Sequence, residues 1–251
     1  MRHWAGRRYW LLGASEGLGR ALAGKLSRRG AHLVLSARSA ERLQELADIL
    51  PGPADCVPLD IRDRDAVVAA AKAVGEIDGI VFLAGAYWPM RAQAWDVAQA
   101  ETMIDVNLTG AVRVLGAVVP GFVARGRGHV VIVGSLAGFR GLPGAIGYAA
   151  SKAGLMHLAE DMRADLHRTG VEVQLVNPGF IRTRLTDRND FEMPFIMEPD
   201  EAARHMLEAM ESCRFQSNFP RLFSWLFRSA QFLPAPLYFR LFGARGAHAE
   251  S

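Results

Sequence analysis

Short apolar runs alternate with amphipathic stretches from residue 9 almost to the end of this 251-residue chain. Tyr9–Leu12, His32–Leu35, Asp55–Leu59, Ile80–Ala84, His129–Val133 and Glu172–Val176 are rich in Val, Leu and Ile. They carry little polar alternation, as strands buried on both faces do. Leu18–Arg29, Ala40–Ile49, Arg64–Val74, Trp95–Ala124, Ile146–Arg168 and, after the last strand, Asp200–Glu211 have the periodicity of helices. This alternation predicts right-handed βαβ units and a single-domain, doubly wound α/β fold with helices on both faces of a parallel sheet.

Composition narrows the class. Half the residues are apolar and the net charge is only +3, as in a folded protein with a sizeable core. The basic excess sits at the ends, in Arg2, Arg7 and Arg8 and in Arg214, Arg221, Arg228, Arg240 and Arg245. No basic stripe interleaved with stacking aromatics crosses the centre, which argues against a nucleic-acid partner. Cys56 and Cys213 stand too far apart in sequence for a metal spacing or a disulfide framework, so a reducing cytoplasm is expected. His32 and His129 head strands, and His157, His167 and His205 are scattered on helices, so no metal is expected. The twin arginines of "GRRYWLLGAS" precede an apolar run too short for an export signal, which reads instead as a first strand. Without about 20 uninterrupted apolar residues, no membrane-spanning helix is expected.

At the first strand-to-helix junction, "LLGASEGLGRALA" carries Gly13, Gly17 and Gly19, a spacing that suits a tight turn, a diphosphate held on a helix N-terminus and close helix packing. The second strand ends "LVLSARS". Ala37 leaves empty the place of an acid that would bond a ribose 2′-hydroxyl, and Arg38 follows, a residue suited either to a 2′-phosphate or simply to the start of a surface helix. Asp60, in "PLDIRD", stands where it can reach an adenine or cap the next turn.

Tyr148 is the only tyrosine with a lysine four residues on, Lys152, in a chain whose 29 basic residues include just Lys25, Lys72 and Lys152 as lysines. On a helix this spacing stacks a phenol beside an ammonium. Gly-x-x-x-Gly-x-Gly from Gly13, Tyr-x-x-x-Lys from Tyr148, Ser135 in "GSLAG", Asn107 in "DVNLTG" and "NPGFIRT" together resemble the short-chain dehydrogenase/reductase family, from about Tyr9 to Thr183. The chain departs from the family pattern at Leu12, where threonine is usual, in "FLAG", which replaces Asn-Asn-Ala-Gly, and at Glu16, near the place of a 2′-phosphate.

The resemblance implies a Rossmann-type domain over residues 1–214 and a carbonyl/alcohol oxidoreductase using NADP(H) in preference to NAD(H). Ser135, Tyr148, Lys152 and Asn107 are the implied catalytic residues. The implied cofactor contacts are Gly13, Ser15, Gly17, Leu18, Gly19, Arg38, Asp60, Ala84, Gly85, Tyr148, Lys152, Pro178, Gly179, Ile181 and Thr183. Reduction needs a proton for the developing alkoxide, and a phenol with its usual pKa of about 10 exchanges protons slowly at neutral pH unless nearby positive charge favours the phenolate. Lys152 supplies that charge, Tyr148 is the general acid, and Ser135 donates to the substrate oxygen. By the resemblance, Asn107 anchors a water beside Lys152, and Thr183 with the Ile181 backbone holds the nicotinamide carboxamide. A non-catalytic dinucleotide-binding regulator on the same fold is the alternative.

Two segments fall outside the repeat. Phe180–Pro199 reads as a loop with an apolar tip, "MPFIM". Residues 215–251 form an expected C-terminal extension, and nine of the chain's 22 aromatics lie between Phe215 and Phe242. Between Pro220 and Pro234, Arg221, Ser224, Arg228 and Gln231 recur at helical spacing among Leu and Phe, which predicts an amphipathic helix. It suits a lid, a subunit interface in a homodimer or homotetramer, or a peripheral membrane contact. The aromatic excess points to an apolar carbonyl or alcohol substrate.

Overall fold

In the first strand, β1 (Arg8–Leu12), Tyr9 and Leu11 enter the apolar core on one face of a sheet while Trp10 and Leu12 enter the core on the other. A strand buried on both faces needs no polar alternation, which is why these runs read as continuous apolar sequence. The computed structural model describes residues 2–189 and 191–243. Arg245 and the remainder of the expected extension, 244–251, lie outside the described residues, as does Asp190 in the expected loop.

The other strands are β2 (His32–Ser36), β3 (Ala54–Cys56), β4 (Gly79–Phe82), β5 (Gly128–Val133), β6 (Val171–Pro178) and β7 (Gln216–Phe219). All pair in parallel, in the order β3-β2-β1-β4-β5-β6-β7. On one face lie α1 (Gly17–Arg28), α2 (Ala40–Ile49) and α7 (Pro199–Glu211), burying Leu22, Leu26, Leu43, Leu46, Met206 and Met210. On the other lie α3 (Arg64–Val74), α5 (Gly110–Ala124) and α6 (Tyr148–Asp165), burying Val67, Val74, Val114, Phe122 and Leu155. The chain order reverses between β1 and β4, and the C-terminal strand ends at that reversal form the crevice where such sheets bind ligands.

Four expectations are corrected. The third strand stops at Cys56 instead of Leu59, because Pro58 cannot donate to the ladder. The expected helix Trp95–Ala124 is two helices, α4 (Val97–Ile104) and α5, joined by a π-helical turn at Asp105–Thr109, with Trp95 outside both. By length and composition Val97–Ala124 would suffice to cross a membrane, but Met103, Val114 and Phe122 are buried against the same chain. The helix expected from Ile146 starts at Tyr148, after Gly147 with φ of 74°. Finally, β7 was hidden by its polar residues Gln216, Ser217 and Asn218, which an edge strand tolerates. Residues 216–219 of the expected extension therefore belong to the sheet.

A buried polar chain ties the sheet to α7. The Gln174 amide donates to the carbonyls of Ala209, Ser212 and Arg214 at 3.0, 2.8 and 3.0 Å, which leaves its oxygen to accept from His129 Nε2 at 2.8 Å. His129 Nδ1 must then accept from the Tyr9 hydroxyl, 2.9 Å away. Burial holds the His129 pKa down at about 3, so the ring is neutral.

After β7, α8 (Arg221–Ala230) is the expected amphipathic helix and α9 (Ala235–Phe242) is a second one. The orientation of α8 is not what its polar stripe suggests: Ser224 is buried and Leu222, Trp225 and Leu226 are exposed. Phe223 sets this rotation, because its ring packs against Phe180, Phe195 and Phe227 at centroid distances of 5.9, 5.4 and 5.0 Å.

Candidate active site

The β1–α1 turn is a cradle that side chains would fill. A Cβ on Gly19 would lie 2.1 Å from the Gly13 carbonyl oxygen. Gly17 has φ of 48°, and a Cβ there would meet Thr183 Cγ2 at 2.7 Å. Ser15 and Leu18 flank this turn in sequence. Glu16, the residue preceding α1, gives no side-chain hydrogen bond to the helix N-terminus. The first amides of α1 thus keep no side-chain cap, the condition in which a helix N-terminus accepts a phosphate. The cradle fits a dinucleotide diphosphate.

Glu16 turns away from that role and is bridged by the guanidinium groups of Arg42 and Arg184. The Glu16 carboxylate is thereby paired with two guanidinium groups. Arg38 is exposed at the end of β2. Asp60 caps the turn that follows it, its Oδ1 accepting from the Arg62 amide at 3.0 Å, and it also binds the Arg62 guanidinium at 2.7 Å; these bonds hold its carboxyl below the usual range. The cap of α3 is Asp63.

The crevice is closed by backbone. The space for a Cβ on Gly13 lies 2.8 Å from the Ala84 backbone, and Gly85 passes Asn107. At the end of β6, Pro178 and Gly179 lead to Ile181, which bridges Met197, and to Thr183 beside Gly17. Gly13 thus meets Ala84, Gly17 meets Thr183 and Gly85 meets Asn107 around one crevice. Among the described residues, no group of three His, Cys, Asp or Glu side chains is placed to hold a metal.

The catalytic candidates meet at the ends of β5 and α6. Ser135, buried just after β5, stands beside the Tyr148 hydroxyl, and its Oγ accepts from the Ala137 N–H at 3.2 Å. Lys152, one turn along α6 and also buried, donates from Nζ to the Val133 carbonyl at 2.9 Å. Burial lowers the Lys152 pKa to about 8, which leaves it mostly protonated at neutral pH. Burial raises the Tyr148 pKa, and the neighbouring Ser135 hydroxyl only partly opposes that. In the protein alone, desolvation prevails.

Asn107 sits in the π turn with its amide fully used. It accepts from the Ala86 N–H at 2.6 Å and donates to the Ala86 carbonyl at 3.0 Å and to Ser151 Oγ at 2.9 Å. These bonds tie the π-helical turn to the residues after β4 and to α6. The side chain therefore positions the β4 loop against α6.

Several residues of the site were not singled out in the sequence. Tyr87 packs edge-on to Tyr148 at a centroid distance of 4.9 Å and donates to Asn189 at 2.7 Å. Arg188 donates to the Tyr87 carbonyl at 2.6 Å and lies 4.6 Å over the Trp88 ring, so the loop after β6 is fastened across the top of the site. "AYWPM" carried the signal, aromatics directly after a central strand. Phe180 contacts Phe191 and Phe223 at 5.9 Å each, and Phe223 also packs over Gly179 near Leu136, the residue after Ser135, which makes an aromatic wall.

Comparison with known proteins agrees with this geometry. The model of the short chain dehydrogenase family matches residues 9–193. The chain is a short-chain dehydrogenase/reductase. An "uncharacterized oxidoreductase" of Myxococcus xanthus is 40% identical to it over 233 residues, covering 90% of this chain and 92% of that one. A sulfoacetaldehyde reductase of Chromohalobacter salexigens is 39% identical over 185 residues, covering 70% and 73%. The crystal structure of a short chain dehydrogenase from Burkholderia cenocepacia in complex with NADP superposes with a TM-score of 0.86 at 25% identity, covering 97% of this chain and all of that one. The seven-stranded parallel sheet of this dehydrogenase/reductase matches the Rossmann fold of its family.

Proposed function

We propose that this enzyme interconverts an apolar carbonyl compound and its alcohol with NADP(H), NAD(H) serving less well. The observation that carries the reading is the convergence of Ser135 and Tyr148 above the buried ammonium of Lys152. A bound nicotinamide would supply or accept the hydride. Ser135 donates to the substrate oxygen and orients it. Tyr148 gives its hydroxyl proton to the developing alkoxide, and the phenolate left behind is stabilised by the charge of Lys152, 5.8 Å from the ring centroid. In the alcohol-to-carbonyl direction the same phenolate takes the proton back.

The cofactor preference rests on Arg38 and Arg42 at the far end of the crevice, with Glu16 held by Arg42 and Arg184. The preference for an apolar substrate rests on the wall of Phe180, Phe191, Phe195 and Phe223. The test is a panel of short and long ketones and aldehydes, with sulfoacetaldehyde included, followed by loss of NADPH or NADH absorbance. Turnover of long apolar carbonyls with NADPH is expected. Turnover confined to sulfoacetaldehyde would overturn the substrate class, and equal use of NADH would overturn the cofactor preference.

A further inference from the structure

The pair α8 and α9 is anchored inward by a few contacts and leaves most of its apolar side chains outward. Arg140 donates to the carbonyls of Ala230 and Leu233 at 2.5 and 2.8 Å and lies 3.9 Å over the Tyr238 ring, whose hydroxyl donates to the Gly141 carbonyl at 2.7 Å. With Phe223 these ties fix the rotation of both helices. Leu222, Trp225 and Phe232 remain 74%, 70% and 86% exposed, and Phe239 and Leu241 on α9 are exposed as well. An apolar surface of this kind marks a contact, not an idle face.

Its charge identifies the occupant. From Ser212 to Ala249 the sequence contains no Asp or Glu, while Arg221, Arg228 and Arg240 are exposed among the apolar residues. A second copy meeting this face by a two-fold axis would set arginine against arginine with no carboxylate on either helix pair. A lid closing on its own domain is opposed by the anchoring of both helices in the outward rotation. Trp, Leu and Phe beside arginines on a short helix are the composition of an interfacial helix on anionic lipid.

We propose that the α8–α9 face docks on an anionic membrane surface. Phe195, itself exposed, packs on Phe223 of α8 at 5.4 Å, so the docked face adjoins the aromatic wall of the site. An apolar carbonyl compound then reaches the enzyme from the lipid side, a consequence that rests on the proposed function, whereas docking itself is read without catalysis.

The test is co-sedimentation of the full chain with vesicles of phosphatidylglycerol mixed with phosphatidylcholine, against phosphatidylcholine alone, at low and high salt. Binding to the anionic vesicles at low salt is expected, at least about tenfold weaker on phosphatidylcholine or at high salt. The double variant Trp225→Ser/Phe232→Ser should bind at least about tenfold less while keeping its circular dichroism. Should that variant fail to fold, Arg221→Gln/Arg228→Gln carries the same expectation. No binding to anionic vesicles at low salt, or binding unchanged by the folded variant, would overturn the proposal. So would a dimer, seen by sedimentation velocity without lipid, that the same substitutions dissociate.

Discussion

Lys152 holds its ammonium 5.8 Å from the centroid of the Tyr148 ring while donating to the Val133 carbonyl at 2.9 Å. Burial lowers its pKa from 10.5 to about 8, so the charge the chemistry needs is carried at a cost to folding. The unfolded chain binds more protons than the native one between these values, and stability from this group therefore rises as pH climbs above about 8. At neutral pH the penalty reaches about 3 kcal/mol. Lys152→Met should unfold at higher denaturant at pH 7, show a flatter stability profile from about pH 8 to 9.5, and lose turnover. Equal or lower stability at pH 7 would mean the bond to Val133 outweighs desolvation.

Arg38 is exposed just after β2, and Arg42 of α2 is paired to Glu16. Arg38→Ala should weaken NADPH binding by at least about tenfold through a lost charge-assisted bond while changing NADH binding little. Fluorescence titration of both cofactors measures this. Equal losses for both would make Arg38 a structural surface residue.

The neutral His129, pulled down to about 3 by burial among Tyr9 and Gln174, predicts acid sensitivity. The unfolded imidazole takes up a proton below its usual pKa of about 6.5 and the native one does not, so stability falls as pH drops from about 6.5 toward 3. Between pH 6.5 and 4.5 the loss is about 2–3 kcal/mol, above the range where most carboxylates titrate. Denaturant unfolding at both pH values checks it, and His129→Gln should lose much less over that interval.

Phe195 stacks on Phe223 at 5.4 Å and is exposed on the loop above the site. Phe195→Ala should raise KM for long-chain carbonyl substrates by about three- to tenfold, from lost apolar contact, with little change for short ones. A uniform rise across chain lengths would place Phe195 outside the substrate path.

What the sequence revealed depended on whether one short stretch held the information. The six apolar strands and the Tyr148–Lys152 spacing are local, and so was the Gly13–Gly19 turn. The edge strand Gln216–Phe219 was invisible because its partner β6 and its partial exposure, not its own polarity, make it a strand. The partner of the Asn107 side chain is Ala86, 21 residues earlier, and the rotation of α8 depends on Phe180 and Phe195. Glu16 illustrates the same limit. Its charge argued against a phosphate site only until Arg42 and Arg184 were brought beside it.

The most direct measurement is turnover of Tyr148→Phe on the best substrate of the panel, alongside its Kd for NADPH. Cofactor binding close to that of the unaltered chain is expected, with turnover lower by at least about 100-fold, the loss of a positioned general acid. Turnover equal to that of the unaltered chain, with the same cofactor affinity, would contradict that expectation and remove Tyr148 from the chemistry.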